Sequence, residues 1–394
     1  MVMAGISAGA LTSIQAQEVS PIVDDRVEAS DVVVAAVPQS EERRGGWNLG
    51  AVVSAAYDDN IFLSKANPAS DTVYRIAPSV AYTRGDAKEG EGGFIRVAYR
   101  PTGVIYAETE SANRIDHQAA VTAGWRGKAS RVTYTGAYQK LGDATADTGR
   151  QTDRLEYQNE LRAAWIPREK ITVELAAGNR LSAYTDPALF DSSKTYGEAA
   201  VRYAYSPKTE VGLAYQAGRF KVDGAGDQTT HQVTARIDWQ PREKIHVKLE
   251  VGAEHRATEN GSAVNPVVEG RIDWTPRQGT GVYLAGYQRQ EASAFYAGQN
   301  YNVKGAAAGV TQRLGGKWTA RLEAGRETAD YQQVSGTGTG GRNDRMWFVR
   351  PALEYRISDE FNIALFYRAT TNSSSDTDFG YDQRIAGIEL NYIF

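Results

Sequence analysis

The 394-residue chain contains no cysteine and only 3 methionines. The first absence excludes disulfide staples, thiol nucleophiles and cysteine-ligated metal, and it suits a chain that crosses an oxidising periplasm unfolded. After the N-terminal segment no apolar run approaches the ~20 residues that a membrane-spanning helix needs, so a helical membrane protein is excluded. A β-barrel is not, because its strands alternate lipid-facing and lumen-facing residues and average to a weak hydropathy signal. Charge is also nearly balanced, 44 basic against 48 acidic side chains, so no basic surplus marks a nucleic-acid surface. Gly-x-Ser-x-Gly, His-x-x-x-His and phosphate-loop motifs are all missing. The sequence thus gives no support to an enzyme, a metal site or a cofactor.

What the chain has in abundance is tyrosine (22) and glycine (39), a bias toward strands, turns and interfacial aromatics. Residues 1–16 form a small, apolar stretch ending near Ala16, as expected of a secretory signal and its cleavage site, although the basic residues that open such signals are missing. Residues 17–46 carry Glu18, Asp24, Asp25, Glu28, Asp31, Glu41 and Glu42, and read as a flexible acidic leader in the periplasm. The leader is too short to fold as a plug.

From Trp47 onward the chain is a succession of segments with a period of two. Ile245, Val247, Leu249 and Val251 alternate with His246, Lys248 and Glu250; Val233-Thr234-Ala235-Arg236-Ile237-Asp238-Trp239 repeats the pattern. One face requires lipid and the other water. Turn chemistry places strands near 47–58, 72–84, 93–107, 116–127, 131–142, 153–166, 171–185, 194–206, 209–223, 229–240, 245–257, 264–275, 281–292, 300–313, 318–332, 344–357, 361–371 and 381–394. Connections alternate between short turns, such as Ser206-Pro207-Lys208 and Pro241-Arg242-Glu243-Lys244, and longer segments, such as 335–342 and 371–380. Eighteen antiparallel strands wired in this way predict an all-β, up-and-down transmembrane barrel in the outer membrane.

A repeat, Trp165-Ile166-Pro167-Arg168, Trp239-Gln240-Pro241-Arg242 and Trp274-Thr275-Pro276-Arg277, closes three downward strands. With Trp125, Tyr205 and Tyr355 these tryptophans are expected to form an aromatic girdle at the inner interface. The chain ends Ile388-Glu389-Leu390-Asn391-Tyr392-Ile393-Phe394. Tyr392 and the terminal Phe394, with apolar alternation behind them, resemble the C-terminal signal that the barrel assembly machinery reads.

On the opposite face, Arg162, Arg202, Arg236 and Arg271 each stand three residues before a girdle aromatic. They fall on alternate strands, which would space them roughly 10 Å apart as a basic arc. The same face carries Glu156, Glu160, Glu174, Asp238, His246, Lys248, Glu250, Asp273 and Glu354. Two readings follow, a wall of paired opposite charges or an arc that guides an anion. A hairpin turning at Pro241 sets Asp238 opposite His246, a pairing that needs no catalytic explanation without a nucleophile. The remaining histidines, His117, His231 and His255, belong to no motif. Asp58-Asp59-Asn60 and Asp376-Thr377-Asp378 are turn clusters that could also take a surface cation. No outer loop reaches a length that suggests a constriction, so an open lumen is expected, while Pro78, Pro101, Pro266 and Pro351 fall inside strands at the cost of ladder bonds.

The first strand runs into Tyr57-Asp58-Asp59-Asn60-Ile61-Phe62. With the strand count and the terminal phenylalanine, this resembles the β-barrel porin 2 family of Gram-negative bacteria over residues 47–394. The resemblance implies an outer-membrane barrel associated with exopolysaccharide or capsule systems, with the polymer leaving through the pore in concert with periplasmic export components. A general diffusion porin for small hydrophilic solutes is the alternative that the same residues would serve.

Overall fold

The computed structural model describes residues 46–85, 91–259, 261–296, 298, 300–331 and 341–394. The expected signal segment, residues 1–16, nearly all of the expected acidic leader, residues 17–46, and most of the 335–342 connection lie outside the described residues.

Eighteen strands follow in order: β1 (Gly46–Asp58), β2 (Asp71–Arg84), β3 (Gly92–Tyr106), β4 (Arg114–Arg126), β5 (Ser130–Leu141), β6 (Arg154–Arg168), β7 (Ile171–Tyr184), β8 (Ser192–Ser206), β9 (Thr209–Val222), β10 (Gln228–Arg242), β11 (Ile245–Thr258), β12 (Gly261–Arg277), β13 (Thr280–Ala292), β14 (Asn300–Leu314), β15 (Trp318–Tyr331), β16 (Asn343–Arg356), β17 (Phe361–Ser374) and β18 (Tyr381–Ile393). Every strand pairs antiparallel with its neighbours in sequence, and β1 closes the ring on β18 from Gly50↔Ile393 to Asp58↔Ile385. All eighteen expected strands are present, with ends displaced by at most three residues.

Period-two alternation explains both faces. In β8, Tyr203 and Val201 point outward, half exposed, while Arg202 and Glu198 point into the lumen. Large apolar side chains are outside: Leu161, Leu175, Leu213 and Val264 are exposed by half or more. The inside is built on alanine, with Ala56, Ala81, Ala98, Ala200 and Ala307 all buried. An exterior this apolar is untenable in water and suits hydrocarbon.

The four prolines expected inside strands, Pro78, Pro101, Pro266 and Pro351, shape the ladder. All four sit at outward-facing positions. The β2–β3 register runs from Val73↔Tyr106 to Ile76↔Gly103 and resumes at Val80↔Tyr99, so the lapse brackets Pro78 and Pro101. Likewise β16–β17 lapses between Val349↔Ala369 and Ala352↔Phe366, beside Pro351, and β12–β13 pairing stops at Val268↔Gln288, short of Pro266. On its other side each proline keeps an unbroken ladder, with Ala51, His117, Leu322 and Ala253 as partners. A residue with no N–H is tolerated only where it faces a missing bond.

The Trp-x-Pro-Arg repeat does a related job. Sequence reading placed its proline in the turn; the structure keeps Pro167, Pro241 and Pro276 in the strand, where the register shifts between Trp165 and Arg168, Trp239 and Arg242, and Trp274 and Arg277. The irregularity absorbs the missing donor and leaves a two-residue turn, with Gly279 at φ +81° supplying the left-handed position in the last of them.

Candidate functional site

Outward aromatic side chains stand at both ends of the wall. Trp47, Trp125, Trp165, Tyr205, Trp239, Trp274 and Trp318 are outward and exposed at the short-turn end, with Tyr355 stacked at a tilt against Trp318, ring centroids 4.6 Å apart. Eight to ten residues higher on their strands stand Tyr57, Tyr74, Tyr157 and Trp347, also outward and exposed. Two aromatic belts bounding an apolar band make this a barrel of the outer-membrane type. At the closure, Tyr392 and Phe394 meet edge to face at 4.4 Å, and the Phe394 amide donates to Leu49 O at 2.9 Å. The Tyr57-Asp58-Asp59-Asn60 segment locks the same seam at its outer end: Asp58 accepts from the Asn60 amide and from Gln383, and Asp59 accepts from the Arg384 amide.

The four arginines of the expected arc face the lumen, and each is held by carboxylates. Arg162 bonds Glu160, Glu174 and Glu198 at 3.0–3.3 Å; Arg202 bonds Glu174 and Glu210, both at 3.1 Å; Arg236 bonds Glu198 at 2.8 Å and Glu250 at 2.9 Å. Glu174 and Glu198 join the three arginines into one network across β6–β11. Arg271 stands apart, paired with Asp273 at 2.8 Å and lying 4.4 Å from the Tyr283 ring centroid. Charges so compensated form a rigid polar lining. Glu354 pairs with Arg321 at 2.7 Å. Asp238 does meet His246, at 2.7 Å, but diagonally: the residue across from Asp238 is Lys248, and the one across from His246 on β12 is Asp273. His117, His231 and His255 lie on the outward face, the first two bonded through Nδ1 to the hydroxyls of Tyr99 and Tyr215.

The expectation of an open lumen fails. The β5–β6 connection, residues 142–153, folds into a small hairpin closed by a bridge between Ala144 and Gln151, with Gly149 at φ +63° turning its tip. Its stem is tied down by Arg154 to Asp143 at 3.0 Å and by the Gly142 amide to Asp116. Its tip reaches the β13–β16 side, half the strand ring away. There Asp147 accepts from Ser293 Oγ at 2.9 Å, the Ala294 amide at 2.7 Å and Tyr331 Oη at 2.9 Å, while Arg342 donates to the backbone oxygens of Asp147 at 3.0 Å and of Ala146. Arg342 is fixed from behind by Asp344 and lies 3.6 Å from the Phe379 ring centroid. Phe295, Tyr296, Tyr331 and Phe379 pack edge to face and tilted around the contact. Burial pushes the Asp147 carboxyl above its ordinary value, and the donors around it oppose that shift.

Beneath the finger lies a cavity of about 300 Å³. Asp143 and Asp147 border it from the finger; Arg75, Arg350, Arg368 and Asp58 border it from the wall. Arg75 and Arg368 form no ion pair among the described residues, unlike the network on β6–β11. Twelve loop residues of unremarkable composition hid this constriction. The signal available was Thr145-Ala-Asp-Thr-Gly149, a tight turn with Thr145 and Thr148 bonded hydroxyl to hydroxyl at 2.9 Å.

No known family model matches the chain, and no curated protein matches it in sequence. Among solved structures it is similar to OccAB3 of Acinetobacter baumannii, with 9% identity over 88% of this chain and 99% of that one and a TM-score of 0.48. OpdQ of Pseudomonas aeruginosa gives 11% identity, 88% and 98% coverage and a TM-score of 0.48. A BenF-like porin from Pseudomonas fluorescens Pf-5 gives 11%, 88%, 99% and 0.48. The fold and its place in the outer membrane rest on the closed ladder and the two belts.

Proposed function

We propose that this chain is an outer-membrane diffusion pore for small hydrophilic solutes, narrowed by the finger at 142–153. The observation that carries the reading is the docking of Asp147 on Ser293, Ala294, Tyr331 and Arg342, which puts structured chain across the outer half of the passage. A polymer exit, which the resemblance to the β-barrel porin 2 family implies, needs that space clear. The lining supports a polar solute, with a compensated wall on β6–β11 and, across from Asp143 and Asp147, two arginines without ion-pair partners among the described residues, Arg75 and Arg368. Solute moving between unlike charges is oriented by the field and its apolar parts are disfavoured.

The test is liposome swelling with sugars of graded size, alongside single-channel conductance, for the wild type and for a variant with 144–151 replaced by a short glycine linker. Wild-type permeability should fall steeply between mono- and oligosaccharides, and the linker variant should conduct more and admit larger sugars. Equal size limits in the two, or loss of surface exopolysaccharide on gene deletion with no change in solute uptake, would overturn the reading.

A further inference from the structure

Across β13–β17 the lipid face carries a row of polar residues in direct register: Gln288↔Lys304, Lys304↔Thr328, Thr328↔Arg345 and Arg345↔Ser373. One step below it on β15, Arg326 pairs with Ala306 and Trp347, and its guanidinium lies 4.9 Å from the Trp347 ring centroid. Lys304, Arg326, Arg345 and Trp347 are all exposed. With strands ~4.8 Å apart, Lys304 and Arg345 flank Thr328 at about 10 Å and Arg326 completes a triangle. None of the three cations has a carboxylate partner among the described residues; Asp330, exposed two residues above Thr328, makes no ion pair with them.

Depth gives the triangle meaning. Arg345 is ten residues above Tyr355 on β16, and Arg326 is eight above Trp318 on β15. At strand rise and barrel tilt this is roughly 20–25 Å above the inner girdle, the upper edge of the apolar band. Three unpaired cations repel one another, and at this height the space before them is filled by lipid headgroups. Guanidinium and ammonium groups around a shared gap match a phosphate oxyanion, and a tryptophan beside them suits the interface where sugar and acyl chain meet.

We propose that Lys304, Arg326 and Arg345 form a binding site for a phosphate group of an anionic glycolipid in the outer leaflet, with Trp347 as its floor. The pore reading is not needed for it: the site is outside the barrel and stands on the wall's register and depth alone.

The full-length barrel would be placed in nanodiscs with bisphosphorylated lipid A, and bound lipid counted by native mass spectrometry after transfer to detergent, beside the combined variant Lys304→Ala, Arg326→Ala, Arg345→Ala. Lys221→Ala, an outward cation on β9, is the control. Heat-modified gel mobility verifies that every variant remains a closed barrel. The wild type and the control should retain one lipid, with affinity falling by about tenfold or more in the combined variant and for dephosphorylated lipid A. Equal retention by the combined variant, equal retention of dephosphorylated lipid, or the same thermal stabilisation by inorganic phosphate alone would overturn the assignment.

Discussion

Arg342 donates from Nη1 to the backbone oxygen of Asp147 at 3.0 Å, joining positions 195 residues apart. One end of this bond belongs to a loop leaving β5 and the other to the residue just before β16, so it is the latch that keeps the finger across the lumen. Removing the Asp147 carboxylate strips acceptors from Ser293, Ala294 and Tyr331 together. Leaving such donors unsatisfied costs on the order of 1–3 kcal/mol, enough to shift a docked finger tenfold or more toward the undocked state. Asp147→Ala should therefore raise single-channel conductance and add open-state noise, with the barrel's own thermal stability unchanged. A conductance equal to wild type would mean the finger does not limit flow.

The same carboxyl makes docking depend on pH. Burial raises the Asp147 pKa above its ordinary value of 3.8, so the docked state binds a proton more tightly than the free loop. Stabilisation from this group is complete below pH 3.8 and declines as pH rises through the window up to the raised value. Conductance should then be lowest in mild acid and climb toward neutrality, and Asp147→Asn should flatten the profile. Conductance traces across pH 4 to 7 read this directly; a profile unchanged by the substitution would assign the titration elsewhere.

Glu198 tests the compensated wall. It is nearly buried and bridges two arginines on different strands, Arg162 at 3.2 Å and Arg236 at 2.8 Å. Glu198→Gln leaves both guanidinium groups with their remaining partners and adds one net positive charge to the lumen. Reversal potentials in a salt gradient should move toward anion preference, and the network should lose about 1–3 kcal/mol of stability. If selectivity stays where it was, current does not pass along β6–β11.

How far the sequence could be read divides along the range of the interactions. Lys248 between Val247 and Leu249 declares its face from its neighbours alone, because strand periodicity is local, and all eighteen strands follow from such patterns. The outward face of Trp165, Trp239 and Trp274 follows from the same alternation, and a tryptophan before a turn is expected at an interface without tertiary knowledge. The finger was not, because Asp147 gains its role from Ser293, Tyr331 and Arg342, and nothing near residue 147 announces them. The pairing of Arg162 with Glu198 spans 36 positions and two strands, and a register drawn from one hairpin at a time does not reach it. The cationic triangle on β14–β16 falls between the two, with positions visible in alternation and adjacency supplied only by the ladder.

Pro78 and Pro101 face each other across the β2–β3 lapse, and the unbroken registers on their outer sides show that both strands are otherwise regular there. If missing donors cause the lapse, restoring them should close it. Pro78→Ala with Pro101→Ala returns two N–H groups to facing positions, each able to complete a ladder bond with a net value of about 0.5–1.5 kcal/mol. Loss of the prolines' restraint on the unfolded chain takes back about 0.4–1 kcal/mol per site, so the net change in melting temperature should be small. Hydrogen exchange separates the terms, since it reads the bonds and not the unfolded chain. The new amides at positions 78 and 101 should be protected in the double variant, while the amides beside Pro351 stay as they are. Fast exchange at both would mean that the strands part there because of the arginines lining the lumen face, Arg75 and Arg100, and that the prolines merely tolerate a gap made by charge.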